Sequence, residues 1–190
     1  DLKDKTILIT GAAGSIGSEI VRQVIQFKPH SIVLVDQGET PLHQLTLELE
    51  TIVTESNIHS VIADVRNKEV MRRVFRTYSP QVVYHAAAYK HVPLMEENPL
   101  QAIQTNVEGT KNVADLACEF KVKKFVMVST DKAVNPSNVM GASKRIAEKY
   151  VQSLQLRSVK ENNGKGTKFI TTRFGNVLGS NGSVVPLFSK

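Results

Sequence analysis

Thr6-Ile7-Leu8-Ile9-Thr10-Gly11-Ala12-Ala13-Gly14-Ser15-Ile16-Gly17 is an apolar run of strand length that ends in glycines spaced three and three. The residues from Ser15 to Phe27 have helical spacing, so the glycines sit on a strand-to-helix turn. Glycines there let the backbone turn sharply and approach an anion closely, and the helix N-terminus adds N–H groups and a positive dipole end. Gly11, Ala13, Gly14, Ser15, Ile16 and Gly17 are therefore the expected contacts to a dinucleotide pyrophosphate. Asp36 ends the next apolar run, about 20 residues on, where a ribose-binding acid belongs. No Arg follows at Gln37 or Gly38 to neutralise a 2′-phosphate, which favours NAD over NADP. Asp36 could instead cap the next helix, a task open to Glu39 or Thr40 as well. Asp64 and Val65, after the third strand, fall where the adenine edge would lie; Asp64 could alternatively cap the helix from Lys68.

Outward from this loop, strand-length and helix-period segments alternate. Strands are expected at Thr6–Thr10, Ser31–Val35, His59–Ala63, Val82–His85, Lys124–Ser129 and Phe169–Arg173. Helices are expected at Ser15–Phe27, Pro41–Glu55, Lys68–Tyr78, Pro99–Phe120 and Gly141–Arg157, and the tail from Phe174 reads as loop. Pro99 fits the first turn of its helix. Continuous apolar strands between helices predict a parallel sheet covered on both faces. The class is α/β, a doubly wound Rossmann-type sheet, with residues 1–190 forming one dinucleotide-binding domain. Glu161–Thr167 reads as a polar surface turn rather than a linker.

Apolar residues make up 41% of the 190, which excludes a disordered chain. The net charge of +6 permits an anionic partner, but there is no five-residue Lys/Arg run or basic stripe, so nucleic acid is not expected. One cysteine, Cys118, rules out an internal disulfide and a Cys-rich metal centre, and its apolar-periodic setting predicts a small buried hydrophobe. No metal site is expected. No apolar run reaches the roughly 18 residues of a membrane span, and no signal peptide is evident. The chain begins at Asp1 rather than Met and reads as an excerpt of something longer.

The glycine spacing, His85-Ala-Ala-Ala88 and Asn106-Val-Glu-Gly-Thr110 resemble the extended short-chain dehydrogenase/reductases. Tyr89-Lys-His-Val-Pro93, Ser129-Thr-Asp-Lys-Ala-Val-Asn-Pro136, Met140-Gly-Ala-Ser-Lys-Arg145 and Arg173-Phe-Gly-Asn-Val-Leu-Gly-Ser-Asn-Gly-Ser183 are similar to the polysaccharide-biosynthesis branch, the UDP-N-acetylglucosamine 4,6-dehydratases. The resemblance runs from Lys5 to Phe188. It implies NAD as cofactor, with Ala86 and Ala87 against it, a UDP-sugar substrate and possible homo-oligomers. It also implies a C-terminal substrate lobe, missing or truncated here. The superfamily's Tyr-x-x-x-Lys stands as Met140-x-x-x-Lys144, as in the large membrane-anchored members. That implies a cytoplasmic location, or the cytoplasmic face of the inner membrane in the full-length protein, with membrane contact only through parts absent from this chain.

A 4,6-dehydratase takes a hydride from sugar C4, eliminates water across C5 and C6 and returns the hydride to C6, so it needs a base, an acid and an electrophilic clamp. By resemblance, Lys144 holds the nicotinamide ribose. Met140 carries no titratable proton and serves packing. Thr130, Asp131 and Lys132 follow the fifth strand at its carboxyl end, where ligands of open α/β sheets bind. Thr130 can hydrogen-bond the 4-oxygen, Asp131 can be the acid for the leaving hydroxyl, and Lys132 the base at C5 where burial or Lys144 favours its neutral form. Lys90 and His91 are candidates for substrate phosphate or hydroxyls, Asn106 for a supporting bridge at the substrate site, and Arg173 and Asn176 for the UDP pyrophosphate. Two alternatives stand beside the dehydratase: a nucleotide-sugar 4-epimerase, which needs no elimination acid and base, and a non-catalytic dinucleotide-binding module.

Overall fold

A computed structural model describes residues 2–52, 55–161, 166–175 and 177; Asn176 and most of the Glu161–Thr167 turn lie outside the described residues. Six strands form one parallel sheet: β1 (Thr6–Thr10), β2 (Ser31–Asp36), β3 (Asn57–Ile62), β4 (Val82–His85), β5 (Lys124–Thr130) and β6 (Lys168–Phe174), in the order β3-β2-β1-β4-β5-β6. The direction of winding reverses between β1 and β4, whose last residues Thr10 and His85 are register partners. Connections leave in opposite directions there, opening the crevice in which such sheets bind ligands.

Alternation along the strands assigns the two faces. Ile7, Ile9, Ile32 and Leu34 pack on α1 (Ser15–Ile25) and α2 (Glu39–Glu50), through Val21, Val24, Leu42, Leu45 and Leu49. Leu8, Val33, Val83 and Phe125 point the other way, onto α3 (Lys68–Tyr78) and two later helices, through Phe75, Leu116 and Val151. A residue step of two on a pleated strand demands this division, and burial on both faces explains why β1, β2 and β4 read as apolar runs, whereas the edge strands β3 and β6 are largely exposed and mix polar residues in.

The sequence reading differs most over residues 92–120. A short helix α4 (Val92–Glu97), with Pro93 in its first turn, precedes α5 (Pro99–Ala102). The expected single helix from Pro99 is then interrupted by a π-helical stretch, Ile103–Gly109, before α6 (Thr110–Glu119). The wider turn carries Asn106, whose side chain is committed to the neighbouring loop, a contact that helical periodicity alone does not report. Elsewhere α2 begins two residues before Pro41 and ends at Glu50, and α1 ends at Ile25, two residues short of Phe27. Asp131–Ala133 form a 3₁₀ turn between β5 and α7 (Val139–Glu161). Cys118 is half-buried against the core, and burial raises its thiol pKa. Among the described residues, no helix is long and apolar enough to cross a membrane, and no group of three or more His, Cys, Asp or Glu is placed to hold a metal ion.

Candidate active site

Two adjoining cavities open at the carboxyl ends of the strands and share Ala86, Ala88 and Tyr89. The smaller, about 250 Å³, is lined by Gly11, Ala13, Gly14, Asp36, Gln37, Asp64, Val65, Ala87 and Thr105. The larger, about 400 Å³, is lined by Ile16, Lys90, His91, Ser129, Thr130, Lys132, Met140, Lys144 and Phe174.

The glycine loop is shaped for close approach. Gly11 has a φ of +67°, and a Cβ there would stand 2.6 Å from the Ala87 nitrogen. A Cβ on Gly17 would stand 1.9 Å from the Gly11 oxygen. Neither position admits a side chain, so β1, α1 and the end of β4 meet backbone to backbone. No side chain caps α1 at Gly14, which leaves its dipole end facing the cleft. Asp36 braces this loop: its Oδ2 accepts from the Ala13 N–H at 3.0 Å and its Oδ1 from the Gly38 N–H at 3.0 Å. It therefore organises the loop as well as lining the cavity. The Thr105 hydroxyl is buried with no hydrogen-bond partner among the described residues. An orphaned hydroxyl beside a cavity costs free energy until something bonds it. These features fit a dinucleotide.

Asp64 lines the same cavity but is strongly engaged. It accepts from the backbone N–H and Nε of Arg66 at 2.9 and 2.7 Å, and Arg66 reaches on to the Gln101 oxygen at 3.0 Å. The Arg66 bonds outweigh burial and hold the Asp64 carboxyl below its ordinary range. It does not cap α3; Asn67 does, accepting from the Val70 N–H.

Behind the shared wall lies His85, 0% exposed. Thr110 spends its one hydroxyl hydrogen on the Asn106 carbonyl at 2.7 Å, so it accepts from His85 Nε2 at 2.9 Å. Nδ1 is then the acceptor for the Thr10 hydroxyl at 2.7 Å. Burial, helped by the Lys144 charge, drives this imidazole pKa down to about 3, so it stays neutral and structural.

At the floor of the larger cavity Lys144 is 5% exposed, its Nζ donating to the Val128 carbonyl at 2.7 Å. Burial lowers its pKa from 10.5 to about 8, with Glu148 pulling the other way. Met140, one turn earlier, is 3% exposed and clusters with Met95 and Ala102. Thr130 donates to Asp131 Oδ1 at 2.9 Å, and the same oxygen accepts from the Lys132 N–H at 2.8 Å. The Thr130 hydroxyl bond, with Lys132 behind it, lowers the Asp131 pKa against the opposing pull of desolvation. Lys132 Nζ stands 3.6 Å from that carboxylate.

Several expected residues are placed otherwise. Asp131, Ser15 and Gly17 adjoin the cavities without being among their lining residues. Asn106 is 0% exposed and spends its amide on the Tyr89 backbone and Ser143, which places it behind the cavities as a backbone bridge and not in their lining. Arg173 does not face the larger cavity. Its guanidinium forks onto Glu148 through Nε at 2.8 Å and Nη2 at 2.5 Å, because a fully buried carboxylate requires a paired cation. Conversely, the sequence gives no site role to Tyr89, Gln37, Thr105, Ser129 or Glu148, although Tyr89 and Ser129 open two of the motifs that carry the resemblance and Glu148 stands one helical turn after Lys144.

The family described as "Polysaccharide biosynthesis protein" matches residues 7–190. "Capsular polysaccharide biosynthesis protein CapD" of Staphylococcus aureus is 57% identical over 99% of this chain and 31% of its own length. A "UDP-N-acetylglucosamine 4,6-dehydratase (inverting)" of Campylobacter jejuni is 42% identical over 98% of this chain and 53% of its own. The chain thus spans about a third to about half the length of these relatives. The X-ray structure of Pen from Bacillus thuringiensis superposes with a TM-score of 0.89 at 38% identity, covering 98% of this chain and 55% of that one. Further relatives are named UDP-glucose 4-epimerase, and structures of the same fold hold NAD, or NAD with UDP.

Proposed function

The chain belongs to the polysaccharide biosynthesis protein family, and on that premise we propose that it is the NAD-holding catalytic portion of a UDP-N-acetylglucosamine 4,6-dehydratase. The supporting observation is the larger cavity, lined together by Thr130, Lys132, Met140 and Lys144, with Met140 at the position that by resemblance to the superfamily would carry a tyrosine base. Relatives with sugar-nucleotide chemistry, including a dehydratase at 42% identity, support the same reading.

Gly11, Gly14, Asp36 and Thr105 would hold the adenosine and pyrophosphate, and Lys144 the nicotinamide ribose. The cofactor, when bound, supplies a reversible hydride acceptor beside the sugar. The protein's own part is proton handling. With Met140 inert, the sugar 4-hydroxyl lies against Thr130, whose hydroxyl already donates to Asp131. The ionised Asp131 takes up that proton through Thr130 and so becomes the acid that the departing C6 hydroxyl needs. Lys132 takes the C5 proton as base and gives it back to C5 when the hydride is returned to C6. Lys90 and His91 line the same cavity, where they would orient the sugar or its phosphates.

The epimerase reading is favoured by the epimerase-named relatives. It needs the hydride relay but neither the elimination acid nor the C5 base. Incubating the intact protein with UDP-N-acetylglucosamine and assaying for a 4-keto product that absorbs in alkali separates the two. A product that is only the 4-epimer, with no loss of water, refutes the dehydratase.

A further inference from the structure

Glu148 is the buried carboxylate that the reaction above leaves unused. Its side chain is 0% exposed and locked by the Arg173 fork, with Arg145 Nη1 at 3.4 Å from Oε2. It follows Lys144 by four residues on α7, hence on the same face one turn along.

Lys144 is also buried, and its one described hydrogen bond goes to a neutral carbonyl, Val128. An ammonium removed from water needs a counter-charge to stay protonated. The surrounding groups offer little else. His85, from β4, is neutral. Lys132, Lys90 and His91 line the same cavity and supply no carboxylate, and Asp131, in the turn after β5, is exposed and bonded to Thr130 and Lys132. Arg145 and Arg173, from α7 and β6, add positive charge and are themselves paired to Glu148.

We propose that Glu148, fixed by Arg173, is a positioning residue that keeps Lys144 protonated at the cavity floor. It touches neither sugar nor dinucleotide and acts only through Lys144. Arg173 serves it as a clamp, which accounts for its turning away from the larger cavity. Burial draws the Lys144 pKa down while Glu148 is the group that raises it, in keeping with the geometry. The functional consequence rests on the reading that Lys144 holds the cofactor.

The test uses the intact protein with Glu148→Gln, Glu148→Asp and the double change Glu148→Gln/Arg173→Gln, which removes both charges and strands neither. The Lys144 midpoint is followed by NMR of labelled lysine side chains, and NAD dissociation constants and turnover are followed against pH. In Glu148→Gln the midpoint should fall by about 1–2 pH units, and the alkaline limbs of NAD affinity and turnover should fall with it. Glu148→Asp should restore most of the shift. Should Glu148→Gln fail to fold, the double variant should show the fall as well, since Glu148 and not Arg173 acts on Lys144 directly. A midpoint unchanged or raised overturns the inference. Separately, NAD affinity unaltered by Lys144→Met at every pH would refute the cofactor reading while leaving the Glu148–Lys144 link measurable by NMR.

Discussion

Asn106 grips Tyr89 by both ends: its Oδ1 accepts from the Tyr89 N–H at 2.8 Å and its Nδ2 donates to the Tyr89 carbonyl at 3.0 Å. Nδ2 also reaches Ser143 on α7 at 3.0 Å. One buried amide thus ties the loop that separates the two cavities to the helix carrying Lys144. Asn106→Leu keeps the volume and strands these partners, which should cost about 2 kcal/mol in urea denaturation. The KM for sugar should rise more than kcat falls, because the loop carries Lys90 and His91. An unchanged denaturation midpoint would contradict this role.

The Thr130–Asp131–Lys132 turn predicts a graded series. Asp131→Asn removes the titratable carboxylate, Lys132→Ala the proposed C5 base and Thr130→Val the hydroxyl proposed to link sugar and carboxylate. Each should lower turnover of the intact protein by roughly 10²–10⁴-fold with NAD affinity nearly unchanged. Deuterium exchange from solvent at C5 should fall with Lys132→Ala, whereas Met140→Leu should cost little. Near-full turnover in both Asp131→Asn and Lys132→Ala would move the proton carriers elsewhere.

Asp36 serves two ends at once. Losing its bonds to Ala13 and Gly38 loosens the glycine loop, and losing its charge removes the barrier to a 2′-phosphate. Asp36→Ala should therefore weaken NAD binding by about 10–100-fold and narrow its preference over NADP. Calorimetric titration with both dinucleotides checks it, and tighter NADP binding by the unmodified chain would refute the NAD assignment.

Lys144 gives stability a pH dependence. Its folded pKa of about 8 lies below its ordinary 10.5. Below pH 8 it is charged whether folded or unfolded, and the folded chain bears the cost of burying that charge. Between 8 and 10.5 the unfolded chain holds the proton that the folded chain has released, so stability rises with pH across that window. The contribution is about 3 kcal/mol over the full window, and Lys144→Met should abolish it. Denaturation of both proteins at about pH 7 and about pH 10 measures the difference; parallel curves would refute the shift.

The strand-to-helix turn at Gly11–Gly17, the acid at Asp36 and the six apolar runs were legible in the sequence because each is a local signature. Strand periodicity, glycine sterics and helix-terminus electrostatics act within a few residues. The resemblance carried by Ser129–Pro136 and Met140–Arg145 likewise pointed to the right family.

Tertiary structure alone decided where the long charged and amide side chains were used. Arg173 reads as a phosphate ligand until Glu148, 25 residues earlier in the chain, is seen beneath it fully buried and in need of a cation. Asp64 reads as an open carboxylate until Arg66, itself held by Gln101, closes on it, and Asn106 reads as part of an unbroken helix until the π turn and the Tyr89 backbone claim it. Sequence determined which groups exist and which strand end carries them. Which of them still faced the cavity was settled by burial, because a polar group removed from water takes the partner that the packed fold supplies.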